Sequence, residues 1–177
     1  MRRITLALAL LSASTVSALA QQPQGYRLGT GLPVPRYVSL KSDRVNLREG
    51  PSKDHRTAWV FQRAGLPVEI IAEYETWRRI RDAEGTEGWV LHSLLSGRRT
   101  ALVMPWAKGE ADPVDLLDRA DSKGGVVAKL QPGVIANIKG CDGKWCRVLI
   151  VMDGARDLDG YLQQEKLWGV YPNETVE

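Results

Sequence analysis

The feature that most constrains the fold is a repeated interval between a turn glycine and a strand tryptophan. Gly65 precedes Trp77 by 12 residues, and Gly133 precedes Trp145 by the same 12 residues. A Gly-aromatic-apolar triplet then follows in each half, Gly88-Trp89-Val90 in the first and Gly160-Tyr161-Leu162 in the second. Shared spacing with shared chemistry indicates an internal repeat. We therefore expect two copies of one small module.

The residues inside each copy have strand character. In the segment 68–74, every second residue from Val68 to Tyr74 is apolar or aromatic, and Ile71 is the one misfit among the intervening positions, which is typical of a half-buried strand. Short segments of this kind, separated by Gly-containing turns, predict a small closed β-barrel. A module of about 60 residues buries only about 60% of its unfolded surface. We therefore expect the copies to share an interface, padded by Trp106 and Trp168.

A hairpin in the first copy carries charges of opposite sign on its two arms. Arg78, Arg79 and Arg81 follow Glu69, Glu73 and Glu75 across the turn. We expect cross-strand ion pairs at the surface, each contributing about 0–1 kcal/mol.

Residues 1–20 are typical of an export signal. Arg2 and Arg3 precede the apolar segment 4–11, and the small-x-small pattern of residues 18–20 predicts cleavage after Ala20. An uncleaved membrane anchor and twin-arginine export are the alternatives. We expect a periplasmic or secreted mature protein without a transmembrane segment.

The net charge argues against a nucleic-acid partner. Without Arg2 and Arg3 the chain has 22 Lys and Arg residues against 21 Asp and Glu residues. A balance so close to zero provides no basic surface for nucleic acid.

Cys141 and Cys146 bracket a short turn, one on each arm of a predicted hairpin. In an exported protein this arrangement predicts a disulfide, which for so short a loop contributes about 2 kcal/mol. Metal binding is the alternative, but His55 and His92 lie in the other module, so we predict no metal site.

The segment from Val45 to Ser52, Val-Asn-Leu-Arg-Glu-Gly-Pro-Ser, resembles the opening strand of the bacterial SH3 (SH3b-like) domain family. The strands that begin at Trp77 and Trp145 also match the family, as do both Gly-aromatic triplets. In the second copy the opening strand instead ends in residues 117–121, Leu-Asp-Arg-Ala-Asp. The resemblance implies an all-β protein, with two tandem SH3-like five-stranded small barrels after a signal peptide.

The resemblance and the composition together divide the chain into six segments. They are the signal peptide 1–20, a flexible linker 21–37, the first SH3-like barrel 38–96, a connector 97–105, the second SH3-like barrel 106–172, and a tail 173–177.

Four aromatic residues are the candidate ligand-binding residues. Each is opposite in strand parity to an apolar neighbour that we expect in the core, which places its ring on the outer face. The alternative is that a bulge or a loop buries the rings. The four are Trp77, Trp89, Trp145 and Tyr161.

Family members also guide the expected ligand. The resemblance places Trp77 where SH3 domains keep a ligand-facing tryptophan. Leu91 and Leu94 stand where the eukaryotic proline-peptide groove has Pro and Tyr, so we do not expect proline-rich ligands.

These observations favour a non-catalytic binding module or adaptor of the bacterial cell envelope. The expected partner is a cell-wall peptide or an envelope protein, and no cofactor is expected. A purely structural interaction protein without a small ligand is one alternative. A cell-wall hydrolase is another, but the family's hydrolases carry a separate catalytic domain with a Cys-His pair. The chain has no phosphate loop, nucleophile elbow or His-Glu-x-x-His motif, so we predict that it is not an enzyme.

Overall fold

The computed structural model describes residues 29–107 and 111–177. The predicted signal peptide, its cleavage after Ala20 and the first part of the predicted linker lie outside the described residues. No helix in the described residues is long and apolar enough to cross a membrane.

The first half of the chain forms a seven-stranded antiparallel sheet. Its strands are β1 Arg36–Leu40, β2 Val45–Arg48, β3 Thr57–Phe61, β4 Pro67–Tyr74, β5 Trp77–Arg81, β6 Glu87–Leu91 and β7 Leu95–Ser96. Their order across the sheet is β3-β2-β6-β5-β4-β1-β7, and a single 3₁₀ turn, His92–Leu94, separates β6 from β7. Two residues of the predicted linker, Arg36 and Tyr37, thus lie in a strand.

The second half repeats this arrangement with the order β10-β9-β13-β12-β11-β8-β14. The strands are β8 Thr100–Val103, β9 Val114–Leu117, β10 Val126–Leu130, β11 Ile135–Asp142, β12 Trp145–Ile150, β13 Leu158–Gln163, β14 Leu167–Trp168 and β15 Thr175–Val176. The last of these pairs with β11, and a 3₁₀ turn at Gln164–Lys166 precedes β14. Each sheet holds the five expected strands plus short flanking strands. The predicted all-β fold of two tandem small barrels is confirmed.

Each sheet curls around its own apolar core because its strands alternate as the sequence predicts. Ile80 and Val90 are fully buried in the first core, and Val148 and Leu162 take the corresponding places in the second. These are the four residues that the parity argument assigned to the interior.

Glycines are required at two positions in each repeat. Gly65 and Gly133 have φ of +76° and +81°, a conformation in which a side chain is strained. A Cβ atom on Gly88 would lie 2.6 Å from Leu47 Cγ, and one on Gly160 would lie 2.6 Å from the Leu117 carbonyl oxygen. The Gly-aromatic motif therefore exists because the opening strand of each barrel, β2 or β9, packs directly on this glycine.

The Cys141–Cys146 disulfide is present. The two cysteines are direct partners on β11 and β12, next to the turn that joins these strands. Both lie in the second core.

The hairpin of β4 and β5 differs in one respect from the expectation. Glu69 pairs with Arg81 and Glu73 with Arg78 in the strand register, so the cross-strand pairing is confirmed. The expected surface position is wrong for the second pair, since Glu73 is 7% and Arg78 4% exposed. In the first pair it holds for Arg81 but not for Glu69, which is 8% exposed. A residue at the end of a barrel is covered by the chain that enters it: Thr30 donates to Glu73 from its backbone N–H at 2.6 Å.

The barrels contact each other through backbone and aromatic groups. Thr100 Oγ1 donates to the Gly65 carbonyl at 2.7 Å, and Arg63 Nη1 donates to the Gly133 carbonyl at 3.0 Å. The Tyr37 ring, on β1, meets the Trp168 ring edge-on with centroids 5.1 Å apart. This contact agrees with the expected padding role of Trp168.

The hydroxyls at this interface remain neutral at physiological pH. Burial, reinforced by the nearby Glu69 carboxylate, raises the pKa of Tyr37 to about 12. Burial also raises the pKa of Tyr171, whose hydroxyl donates to Glu69 Oε1 at 2.9 Å. A neutral hydroxyl that donates to a carboxylate forms a charge-assisted bond between the two halves of the chain.

Candidate ligand-binding grooves

A groove of about 250 Å³ lies on the outside of the first barrel. Trp77, at the start of β5, forms part of its wall together with Leu91 and Leu94 from the end of β6 and the 3₁₀ turn. The polar residues come from the opening strand β2 and from the chain just before and after it, and they are Arg44, Asn46, Arg48 and Lys53.

The second barrel has a groove of about 380 Å³ in the equivalent place. Asp115, Trp145 and Gln163 line it at the positions that correspond to Asn46, Trp77 and Leu91. The correspondence extends to the remaining lining residues: Pro113, Leu117, Ser122 and Lys166 match Arg44, Arg48, Lys53 and Leu94. The two copies therefore keep the same groove with a tryptophan at the same point.

The charges of the two grooves are opposite. The first groove has three cationic side chains, Arg44, Arg48 and Lys53, and no carboxylate among its lining residues. Arg48 is held to its own loop, since its Nη1 donates to the carbonyls of Lys53 and His55. The other two cations are exposed and face solvent. An anionic group is therefore attracted to this groove.

The second groove has two carboxylates, Asp112 and Asp115, against one ammonium group, Lys166. Asp115 also faces Lys129 across the strand pair, with Oδ1 and Nζ 3.5 Å apart. Lys166 lies 3.8 Å from the Glu165 carboxylate. This groove has a negative balance and favours a neutral or cationic group.

The two tryptophans differ in exposure. Trp77 is only 7% exposed, so the groove presents one limited part of its ring. Trp145 is half-buried and also borders a second, larger cleft. The backbone N–H of Trp145 donates to Asp142 Oδ1 at 2.8 Å, which fixes the turn before it. This bond and a second one from the Lys144 N–H lower the pKa of Asp142 below its ordinary value.

The other two predicted site residues, Trp89 and Tyr161, lie outside both grooves. They are half-buried and occupy the outer face of β6 and β13, opposite Arg79 and Arg147 in the strand register. Each arginine is held by the acid two residues before the aromatic. Arg79 Nη2 lies 2.9 Å from Glu87, and Arg147 Nε lies 2.9 Å from Asp159.

Each barrel thus carries an arginine-aromatic-acid row beside its groove. The hydrogen bond that Arg147 donates to Asp159, followed by the charge of that carboxylate, raises the pKa of Arg147 further above its usual value. The structure brings Trp77 and Trp145 to equivalent grooves and sets Trp89 and Tyr161 on the neighbouring face. Whether the four bind ligand stays a prediction.

The charged groove residues were missed in the sequence because they are single charges on short strands, such as Arg48 and Asp115, or in the adjoining turns, and form no periodic pattern. A signal was nevertheless present. Adding 69 to Arg44, Asn46 and Lys53 gives Pro113, Asp115 and Ser122, and this constant offset pairs the positions of the two copies. Such a comparison identifies which polar residues occupy the same place on both barrels.

The described residues contain no group of three or more His, Cys, Asp and Glu side chains placed to hold a metal ion. The grooves offer rings, cations, carboxylates and amides. Chemically, these groups are suited to stacking and charge contacts with a ligand.

Comparison with protein families matches the bacterial SH3 domain to two segments, residues 41–97 and 110–169. The chain belongs to the bacterial SH3 domain family. The two matched segments correspond to the two barrels, so the resemblance of the sequence to this family in tandem copies is confirmed. Bacterial SH3 domains are binding modules, which assigns a binding role to the chain in general terms.

Two solved structures from Trichomonas vaginalis are similar to this bacterial SH3 chain. NlpC1 is 14% identical to this chain, with a TM-score of 0.33. The alignment covers 79% of this chain and 48% of NlpC1. NlpC2 is 12% identical to this chain, also with a TM-score of 0.33. The alignment covers 77% of this chain and 49% of NlpC2. The chain spans about half the length of these structures, and a likeness of this size says nothing about activity. No curated protein matches the sequence significantly.

Proposed function

We propose that this protein is a non-catalytic binding module, or adaptor, of the bacterial cell envelope. Its ligand is a cell-wall peptide or an envelope protein, and each barrel contributes one groove. The observation that carries the proposal is the pair of equivalent grooves, with Trp77 and Trp145 at the same position. Aromatic rings at the centre of a site commonly dominate its binding energy.

The Cys141–Cys146 disulfide supports a place outside the cytoplasm, because disulfides persist in oxidising compartments. Export by a cleaved signal peptide, with cleavage after Ala20, accords with this. The periplasm or the exterior of the cell is accordingly the proposed location.

The chemistry of the grooves favours one order of contacts. The first groove, with exposed cations on its rim and Leu91 and Leu94 on its wall, suits a carboxylate next to an apolar side chain. The second groove, with Asp112 and Asp115, suits the neutral or cationic part of a ligand. A ligand that spans both barrels gains affinity from two weak contacts.

The test uses the oxidised mature chain with purified cell-wall sacculi and, in parallel, with an extract of envelope proteins. Trp145→Ala removes a half-buried ring, and we expect it to weaken retention by about thirtyfold, or about 2 kcal/mol. Arg44→Ala with Lys53→Ala removes two rim charges, and we expect it to reduce retention severalfold, most clearly at low salt.

The matched control is Lys41→Ala with Lys139→Ala, which removes two exposed cations outside the grooves. Thermal melting of every variant separates lost binding from lost folding. If the folded groove variants bind sacculi and envelope proteins as well as the control does, the grooves are not the binding sites.

A further inference from the structure

A second, larger cleft of about 720 Å³ lies on the second barrel, beside its contact with Tyr37 of the first. Four aromatic rings line it. Tyr37 comes from the first barrel, and Trp145 and Trp168 come from the second. Trp106 lies in the segment after β8.

Trp106 shows that the cleft is more than an extension of the interface. Its side chain is 52% exposed, although it was expected to pad the contact between the barrels. Tyr37 and Trp168 already make that contact with each other. Trp106 therefore presents a large apolar ring to the cleft while the interface is packed without it.

The polar residues of the cleft are mostly neutral amides. Gln163 and Asn173 provide side-chain amides at its edge, and one cation, Lys144, is balanced by one carboxylate, Glu165. The net charge of the cleft is therefore zero, whereas the first groove is cationic and the second is anionic. The cleft has no net charge with which to select an ionic ligand.

Gln164 forms a fixed part of the cleft wall. This residue lines the cleft and is 5% exposed, and its Nε2 donates to the carbonyls of Tyr171 and Glu174 at 2.6 and 3.1 Å. Those two bonds fix the orientation of the amide. The wall beneath the aromatic rings is therefore rigid at this point.

We infer that this aromatic cleft binds uncharged pyranose rings of an oligosaccharide. One face of a pyranose ring carries C–H groups, which pack on the π-face of an aromatic ring, and its rim carries hydroxyls that donate to and accept from amides. Broad, mostly apolar clefts with a few polar groups are the usual form of small-ligand sites.

An extended peptide fits the same cleft less well. Peptides commonly add a strand to an open sheet edge. The edge strand at this cleft, β14, has only the two residues Leu167 and Trp168, and β8 already occupies its other side. So short an edge offers too few backbone groups for a peptide to pair with.

The inference goes beyond the proposed function, since the cleft is a site separate from the two grooves. It borders the second groove at Trp145 and Gln163, which line both. A sugar chain in the cleft and a peptide in the second groove therefore lie side by side.

The test is calorimetric titration of the oxidised mature protein with chitotetraose and, separately, with cellotetraose, both uncharged β-1,4-linked sugars. We expect saturable binding of at least one of them and at least a tenfold loss in Trp106→Ala. The matched control is Trp59→Ala, since Trp59 is 58% exposed on β3 and does not line the cleft. This control should bind within twofold of the wild type.

Two further results separate this inference from the proposed function. The variant Arg44→Ala with Lys53→Ala should bind the sugar as the wild type does, whatever it does to sacculus retention. The inference is overturned if neither tetrasaccharide binds at millimolar concentration, or if Trp106→Ala and Trp59→Ala bind equally. It is also overturned if Trp106→Ala impairs binding of sugar-free cell-wall peptides while leaving sugar binding intact.

Discussion

The two barrels have equivalent hairpins, and a different interaction links the two strands near the turn of each. In the second barrel, Cys141 and Cys146 face each other on β11 and β12 and are joined by a disulfide. In the first barrel, the equivalent partners on β4 and β5 are Glu73 and Arg78. Each pair encloses four residues, 74–77 in the first barrel and 142–145 in the second, so both pairs lie at the same distance from the turn.

In the first barrel, a buried ion cluster links the two strands of this hairpin. Arg78 Nε lies 3.1 Å from Glu73 Oε1, and Arg36 Nη2 contacts the same carboxylate. Thr30 adds hydrogen bonds from its backbone N–H and its hydroxyl. Burial alone raises the pKa of Glu73, but the bonds from Arg36 and Thr30 and the charge of Arg78 outweigh it and hold the pKa below its ordinary value.

The difference shows that the fold needs a closed hairpin end at this place but does not dictate the chemistry. A disulfide of six residues restricts the unfolded chain and depends on the redox state of the compartment. An ion cluster stabilises the folded state only while the carboxylate is charged and every partner is present. The two barrels should therefore fail under different conditions.

The largest expected effect is loss of the ion cluster. Glu73→Gln leaves Arg78 buried without a counter-ion, and we expect the free energy of unfolding to fall by about 3–5 kcal/mol. Urea unfolding of the oxidised protein measures this, and nuclear magnetic resonance assigns the loss to the first barrel.

The control for this prediction is Glu84→Gln, which neutralises an exposed carboxylate in the turn between β5 and β6. It should stay within about 0.5 kcal/mol of the wild type. Equal stability of the two variants would show that the buried cluster contributes nothing and that packing alone closes the first barrel.

The second effect is loss of the disulfide. Reduction of Cys141–Cys146 should lower the free energy of unfolding by about 2 kcal/mol, since the closed loop is short. Urea unfolding with and without reductant gives the value, and hydrogen exchange should locate the change in β11 and β12. The variant Cys141→Ala with Cys146→Ala serves as the control, because a reductant should leave its stability unchanged. A similar loss of protection in β4 and β5 would contradict the view that each barrel has its own fastening.

Much of the fold was predictable because it depends on repeated spacing and on the alternation of apolar residues along the strands. The 12-residue interval from Gly65 to Trp77 returns in the second copy, and strand alternation identified Ile80 and Val148 as core residues. The disulfide followed from two cysteines on either side of one turn. Each of these depends on residues close in sequence, where local geometry determines contact.

The candidate sites were less predictable because they depend on residues far apart in sequence. The aromatic cleft joins Tyr37 to Trp168, and no local pattern relates these positions. The buried state of Glu73 likewise depends on Thr30, which is 43 residues away. Parity placed Trp77 on the outer face but gave no indication that surrounding residues leave it 7% exposed.

The smallest expected effect is a difference in acid sensitivity. The pKa of Glu73 is lower in the folded protein than the value of about 4.3 for an unfolded chain. The resulting stabilisation is complete above the unfolded value and is lost as the pH falls through the folded one. The loss should be smaller than in Glu73→Gln, because the protonated carboxyl keeps its place. Urea unfolding at pH 7 and at pH 3.5, followed separately for each barrel by nuclear magnetic resonance, measures this loss.

Glu174, held by Arg99, also has a lowered pKa, so wild type must be compared with Glu73→Gln. The first barrel of that variant should lose less stability on acidification than the wild-type one, while the disulfide-linked second barrel behaves alike in both. An identical pH dependence of the first barrel in both proteins would mean that the Glu73 charge does not stabilise it.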